Sequence, residues 1–288
     1  MYEDLLEKRP LSAPFVVLDT ETTGLHPHTG HRVVEIGAVR YENGEKVAEL
    51  DQLLQPGRLM DPGASRVNGI DDIELLGKPT FADIAPDLLA LLDGAFLVAH
   101  NADFDARFVG MEFFASGYTS ENGEGIPGNP WICTLLLARQ HFYFGRNNLS
   151  NIARQLNIRM GRAHRALNDV YMTAEIFKRM VQKLADQKIV TVGDLLHAQG
   201  GAIYAPNPPQ TNLPPLIADA MENGRSLQIR YTTPTNESQR IISPKYITQS
   251  KDHTYLIAYC HTRDDQRTFR LDRIQGIEAL KLRVKAKG

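Results

Sequence analysis

Residues 15–25 read FVVLDTETTGL. Four consecutive apolar residues run directly into two carboxylates, and this constrains the fold more than any other stretch of the chain. A short apolar run bounded by Thr-Thr-Gly reads as a strand buried on both faces. Alternate residues of a strand share a face, so Asp19 and Glu21 stand side by side. Two like charges about 4 Å apart repel by about 4 kcal/mol at an effective dielectric near 20. A buried strand that ends this way calls for a cationic partner.

The chain has 288 residues, enough for one large domain or two smaller ones. Its first residues, MYEDLLEKRPLSAP, are acidic and broken by prolines, which predicts no signal peptide. No apolar run approaches the ~18 residues of a membrane helix, because DLLALLDGAFLVAH is split by Asp93 and Gly94. Cys133 and Cys260 lie far apart, in no metal-like spacing and with no disulfide framework. A reducing cytoplasm without a membrane partner is expected.

Charge is unevenly spread. Residues 213–288 hold 13 Lys+Arg against 8 Asp+Glu, a net of +5, whereas residues 1–212 hold 19 against 26, a net of −7. A basic tail is the usual footprint of an anionic ligand, and chance surface composition is the competing explanation. Between the two halves, GGAIYAPNPPQTNLPP (200–215) carries five prolines and two adjacent glycines, which predicts an extended, semi-rigid linker rather than packed chain. The expected division is 1–199, a linker at 200–215, and 216–288.

Before the linker, strands alternate with helical patterns. FVVLDT is followed by two strands around a turn at Glu42-Asn43-Gly44. FADIAPDLLALLDG reads as a helix with Ile84, Leu88, Leu91 and Leu92 on one face, and AFLVAHN as a strand. DARFVGMEFFASG is a second helix, WICTLLLARQ a strand passing into helix, and NLSNIARQLNI a short helix with Ser150 as its expected N-cap. A long amphipathic helix over ALNDVYMTAEIFKRMVQKLADQ carries Val170, Thr173, Phe177, Val181 and Leu184 in stripe. This is the pattern of an α/β domain with a mixed sheet. After the linker, one short helix, LPPLIADAMENG, precedes short β-rich runs spaced as in a small antiparallel barrel.

Two further acidic elements recur. VAHNADFDARF places Asp103 and Asp105 at the start of a helix, and HRALND opens the long helix with Asp169, His164 lying five residues earlier. Each aspartate can simply cap a helix, and a lone histidine is ordinarily a surface or core residue. The Asp19/Glu21 pair has no such bland explanation. Carboxylates suit a hard divalent cation such as Mg²⁺ or Mn²⁺. Three or four of them converging can hold two ions about 4 Å apart for in-line phosphoryl displacement, with a histidine to take a proton from water.

VVLDTETTGL, LVAHNADFDARFV and HRALNDVYMT, in that order, resemble the DEDDh family of 3′→5′ exonucleases, which includes proofreading epsilon-type subunits and RNase T-like enzymes. Lesser stretches, RVVEIGAV, VNGI and NNLSNIARQLNI, extend the likeness over residues 13–185. The resemblance implies an RNase H-like mixed sheet flanked by helices, metal ligands Asp19, Glu21, Asp105 and Asp169, two ions of Mg²⁺ or Mn²⁺, and His164 as general base. It selects Asp105 over Asp103. It further implies that Thr22, Thr23, Gly24, Leu25, His100 and Asn101 meet the 3′-terminal nucleotide, with Leu25 as a wedge. Cys133 reads as a buried strand residue, and His26, His28 and His31 as a solvated loop over the substrate entrance.

SLQIRY, RIISP, TYLIAYC and RTFRLDRI, over 213–282, resemble the WYL domain, a small SH3-like barrel here preceded by one helix, although Thr254-Tyr255-Leu256 replaces its namesake Trp-Tyr-Leu. The resemblance implies a nucleotide or single-stranded nucleic-acid site at Tyr231, Tyr255, Arg267, Arg270 and Arg273. Arginine with tyrosine suits phosphate pairing and base stacking. The reading is therefore a two-metal exonuclease acting on 3′ ends of single-stranded DNA or RNA, DNA favoured. Its rivals are a regulator in which the WYL-like domain is the working part, and a polymerase proofreading partner. A homodimer is an open possibility.

Overall fold

The computed structural model describes residues 3–27, 30–120, 124–158, 165–207, 213–250 and 253–280. Two compact units divide the chain: Met1–Thr23 with Val33–Pro56 and Met60–Asn207, and Gly24–Arg32 with Gly57–Leu59 and Pro208–Gly288.

In the first unit, helix α1 (Glu3–Leu6) precedes strands β1 (Phe15–Thr22), β2 (Val33–Glu42) and β3 (Glu45–Leu53). The turn expected at 42–44 is present, with Asn43 and Gly44 at φ 52° and 80°, the left-handed pair that a tight hairpin requires. Next come α2 (Pro62–Asn68), α3 (Phe81–Leu92), β4 (Phe96–Ala99), α4 (Ala102–Ala115), β5 (Trp131–Cys133), α5 (Thr134–His141), α6 (Leu149–Gln155), α7 (Ala166–Ala185) and α8 (Val192–Ala198). The strand order is β3-β2-β1-β4-β5, with β1 antiparallel to β2 and parallel to β4. This is the mixed sheet flanked by helices that the motifs imply.

Strand β1 lies at its centre because both of its faces are apolar. Phe15 and Val17 pack with Phe177 and Met180 of α7, while Val16 and Leu18 pack with Leu88 of α3 and Phe108 of α4. All four β1 residues are fully buried. Burying each contributes roughly 1.5–3 kcal/mol, which makes β1 a rigid mount for whatever follows Leu18.

Two local expectations differ. The N-cap of α6 is Asn148, whose side chain accepts from the Asn151 amide, and Ser150 falls inside the helix. The start of the expected linker is packed: the Trp131 amide donates to the Ile203 carbonyl at 2.9 Å, and Ala205 is buried. The edge of β5 offered free backbone groups, and this segment satisfies one of them. Residues 208–212 of the linker lie outside the described residues.

In the second unit, α9 (Pro215–Glu222) precedes β6 (Leu227–Thr233), β7 (Asn236–Ser250), β8 (His253–Cys260), β9 (Asp265–Arg270), a 3₁₀ turn (Leu271–Arg273) and β10 (Ile274–Ala279). The strands are antiparallel in the order β10-β6-β7-β8-β9. The expected barrel is thus a five-stranded open sheet, because edge strands β9 and β10 do not pair with each other among the described residues. The register of β7 on β8 slips between Pro244 and Tyr246, where proline lacks the amide that would continue the ladder. Ile217 and Ala220 of α9 cover one face of the sheet with Leu227, Ile229, Ile242 and Leu256.

Candidate active site

Asp19 and Glu21 lie in the second half of β1, and Asp169 in the first turn of α7. One carboxylate oxygen from each lies within 4.8 Å of the others. Burial, reinforced by Asp105, Asp169, Glu21 and Glu35, raises the Asp19 pKa well above the carboxylate range. Glu21 is pushed up to about 8, chiefly by burial and then by Asp169, Glu35 and Asp105. Protonation or a cation relieves this repulsion, and the all-carboxylate donor set fits a hard divalent ion.

Asp105 stands beside this trio. It is buried in the first turn of α4, and its Oδ1 accepts from the Thr20 amide at 3.0 Å and the Thr20 hydroxyl at 2.8 Å. Thr20 lies between the two β1 acids, so these bonds lock α4 to the site. Burial raises the Asp105 pKa to about 7, although the Thr20 bonds pull it down. Asp103 points elsewhere, into an exposed ion pair with Arg107. Neither caps α4, whose N-cap is Asn101 in the left-handed region, at φ 73°. His164 and His28 lie outside the described residues.

The helix bearing Asp169 comes close through two features of β2. Gly37 pairs with Asp19, and a Cβ at Gly37 would sit 2.7 Å from the Leu167 nitrogen, so glycine is required for the first turn of α7 to press on the strand. Glu35 is the functional residue that sequence reasoning missed. It is buried, pairs with Glu21 across the sheet, and its Oε2 accepts from the Ala166 amide at 3.0 Å. Its Oε1 accepts from Arg165 Nε at 2.9 Å and Nη2 at 2.7 Å. Helix α7 has no side-chain cap of its own, so a carboxylate from β2 supplies one at the positive end of the helix. The signal was an acid set inside the apolar run VVEIGAV. Glu112 of α4 acts similarly, accepting from the Val33 amide at 2.9 Å where β2 begins.

Of the residues assigned to the substrate, Thr22 and Thr23 are buried, and their carbonyls accept from the Asn68 side chain and the Asp61 amide. Leu25 is 71% exposed. A Cβ on Gly24 would fall 2.3 Å from the His31 ring. His100 is half-buried, its Nδ1 2.9 Å from Thr134 Oγ1 and its Nε2 3.0 Å from the Asn147 carbonyl; burial drops its pKa to about 4.

The family profile for RNase T exonucleases matches residues 16–177, more than half of the chain. The chain belongs to the RNase T exonuclease family. A WYL-domain profile matches residues 214–279. The chain is 35% identical over 198 residues to the DNA polymerase III subunit epsilon of Escherichia coli, covering 65% of this chain and 79% of that one. It is 33% identical over 184 residues to the DNA polymerase III PolC-type of Thermotoga petrophila, where the match spans only 13% of the relative. Among solved structures, exonuclease X in complex with 5′ overhanging duplex DNA superposes with a TM-score of 0.51 at 26% identity, over 65% of this chain and 99% of that one.

Within the WYL domain the five residues assigned to a ligand are dispersed in role. Tyr231 stacks edge-on against Phe269, and its hydroxyl accepts from the Arg270 amide. Arg267 pairs with Asp265, and Arg270 with Asp272. Tyr255 lies across from Arg270 in the β8–β9 ladder. Arg273 closes the 3₁₀ turn.

Proposed function

We propose that this chain is a metal-dependent 3′→5′ exonuclease that hydrolyses terminal phosphodiesters of single-stranded nucleic acid, DNA favoured, and releases nucleoside monophosphates. The observation that carries this reading is the Asp19–Glu21–Asp169 cluster, set within 4.8 Å on the central strand and the last long helix of an RNase T exonuclease domain. Asp19, Glu21, Asp105 and Asp169 would hold two Mg²⁺ or Mn²⁺ ions. Such ions supply charge neutralisation and water activation for phosphoryl transfer. The chain's own contribution is to keep four acids aimed from a rigid strand and two helices, and to present His164 as the base that takes a proton from the attacking water. The division into an exonuclease domain (1–199), a linker (200–215) and a WYL domain (216–288) belongs to this reading, as does a cytoplasmic setting for two free, buried cysteines. Among the described residues, no helix is long and apolar enough to cross a membrane.

A second reading, a proofreading partner of a polymerase, is favoured by the likeness to an epsilon subunit. The deciding experiment assays 3′- and 5′-labelled single-stranded DNA and RNA with the full chain in Mg²⁺, Mn²⁺ or EDTA. Stepwise shortening of the 5′-labelled strand, lost in EDTA and cut at least about 10³-fold by Asp19→Asn, is expected. Undiminished cleavage by the Asp19→Asn chain would overturn the metal assignment.

A further inference from the structure

Three observations lie outside the carboxylate cluster. The first is charge. From Gly125 to Asn168 the sequence holds no Asp or Glu and six arginines, at 139, 146, 154, 159, 162 and 165. The rest of residues 1–212 holds 13 Lys+Arg against 26 Asp+Glu, so a run of net +6 sits within an otherwise acidic segment.

The second is placement. Strands β1 and β4 run parallel with Val17 opposite Val98, so the register sets Asp19, still within β1, beside His100, the residue that follows β4. The His100 ring reaches the Asn147 carbonyl and fastens the loop 142–148 to this same edge. Arg139 lies near enough for its charge to act on the His100 ring.

The third is the build of the loop. The Asn151 side chain donates to the carbonyls of Phe144 and Arg146 at 2.9 and 2.7 Å, and Gln155 donates to Phe144 as well. Phe142 and Phe144 stack with ring centroids 5.4 Å apart. Between these two rings, Tyr143 is fully exposed, at 102%. Arg139 and Arg146 are exposed, and neither takes part in an ion pair among the described residues. A single exposed aromatic is ordinary. One carried on a stapled loop that His100 ties to the end of β4, with exposed arginines four residues before it and three after, suits a partner with stackable bases and regularly spaced anions.

We propose that Tyr143, Arg139 and Arg146 form a landing surface for the single strand that feeds the active site, Tyr143 stacking on a nucleobase and the arginines pairing with phosphates upstream of the scissile bond. This rests on the exonuclease reading above. Because the loop is already ordered, the surface holds the strand without a large ordering cost.

The test uses the full chain and a dodecamer of deoxythymidylate. Tyr143→Ala should raise KM about 5- to 150-fold, the range for loss of one stacked base, while Tyr143→Phe keeps the wild-type value. Tyr204→Ala, an exposed tyrosine beside the amino-terminal end of β5, is the control and should change nothing. The double variant Arg139→Ala/Arg146→Ala should flatten the slope of log affinity against log salt by about 1.4, at about 0.7 per phosphate of a single strand. Tyr143→Trp should show fluorescence quenching on adding the oligonucleotide in EDTA, which reads contact without turnover. A wild-type enzyme that degrades the dodecamer, with KM and salt slope unmoved in these variants, overturns the landing surface. A wild-type chain that degrades no single strand overturns the exonuclease reading beneath it.

Discussion

The two sheets of this chain treat charge in opposite ways. In the mixed sheet, Asp19, Glu21 and Asp169 are held within 4.8 Å of one another, and their pKa values climb because burial and mutual repulsion oppose ionisation. In the WYL sheet, Arg230, Arg267 and Arg270 each meet an acid close by, Glu237, Asp265 and Asp272, at the surface. Opposed buried charges store free energy that a cation can release, whereas exposed pairs store little. The first sheet declares its chemistry by what it leaves unneutralised. In the second, these three arginines already have partners.

The largest expected effect tests the stored repulsion directly. The Glu21 pKa is about 8 in the folded chain against an ordinary 4.5, so between those values the folded state binds a proton that the unfolded state has released. The stabilisation this gives is complete below about pH 4.5 and is lost as pH rises to about 8, on the order of 5 kcal/mol. Asp19 and Asp105, both raised, act in the same direction. Urea denaturation in EDTA from pH 5 to 9 should therefore show falling stability, Glu21→Gln should remove part of the slope, and added Mg²⁺ should flatten it. A metal-free chain equally stable across that range would contradict the comparison.

Next in size is the pair through which the mixed sheet neutralises a buried acid, Glu35. Arg165→Ala leaves the Glu35 carboxylate buried with only the Ala166 amide, and should cost about 3 kcal/mol of stability. Because the bracket also seats the first turn of α7, Mn²⁺ affinity measured by calorimetry should fall in the same variant, and Arg165→Lys should recover part of both losses. Unchanged metal affinity would reduce the bracket to a structural pair.

What was legible in the sequence follows the same division. The acids of the site could be read because four apolar residues running into Asp19 and Glu21 have few physical explanations, and the helix stripes around Leu88 and Phe177 announced the layers that bury them. Glu35 was hidden because nothing in VVEIGAV indicates that its partner lies 130 residues away. Gly37 was hidden because its role is a close approach rather than a turn. Asn148 displaced Ser150 as a cap because both residues can play the part, and only the backbone decides between them. In the second unit, strand count and spacing were readable, but closure was not. Whether β9 and β10 meet is a matter of long-range pairing, which periodicity does not record.

A weaker effect is expected in the WYL sheet. Asp272 holds Arg270 through both Nε and Nη2, and each shifts the other's pKa toward its charged form. Both groups lie at the surface, so breaking the pair should leave the thermal midpoint where it was. Its consequence is for binding. While Asp272 occupies the guanidinium, a phosphate must displace a carboxylate to reach it, so Arg270→Ala should leave the salt dependence of oligonucleotide binding unchanged. Asp272→Asn frees the same guanidinium and should steepen that slope by about 0.7, the increment for one phosphate of a single strand. Arg146, already unpaired, should behave the other way round, its removal flattening the slope. If instead Arg270→Ala flattens the slope as Arg146→Ala does, the acid beside it is no barrier, and the paired arginines of the WYL sheet contact nucleic acid as readily as the unpaired ones of the catalytic edge.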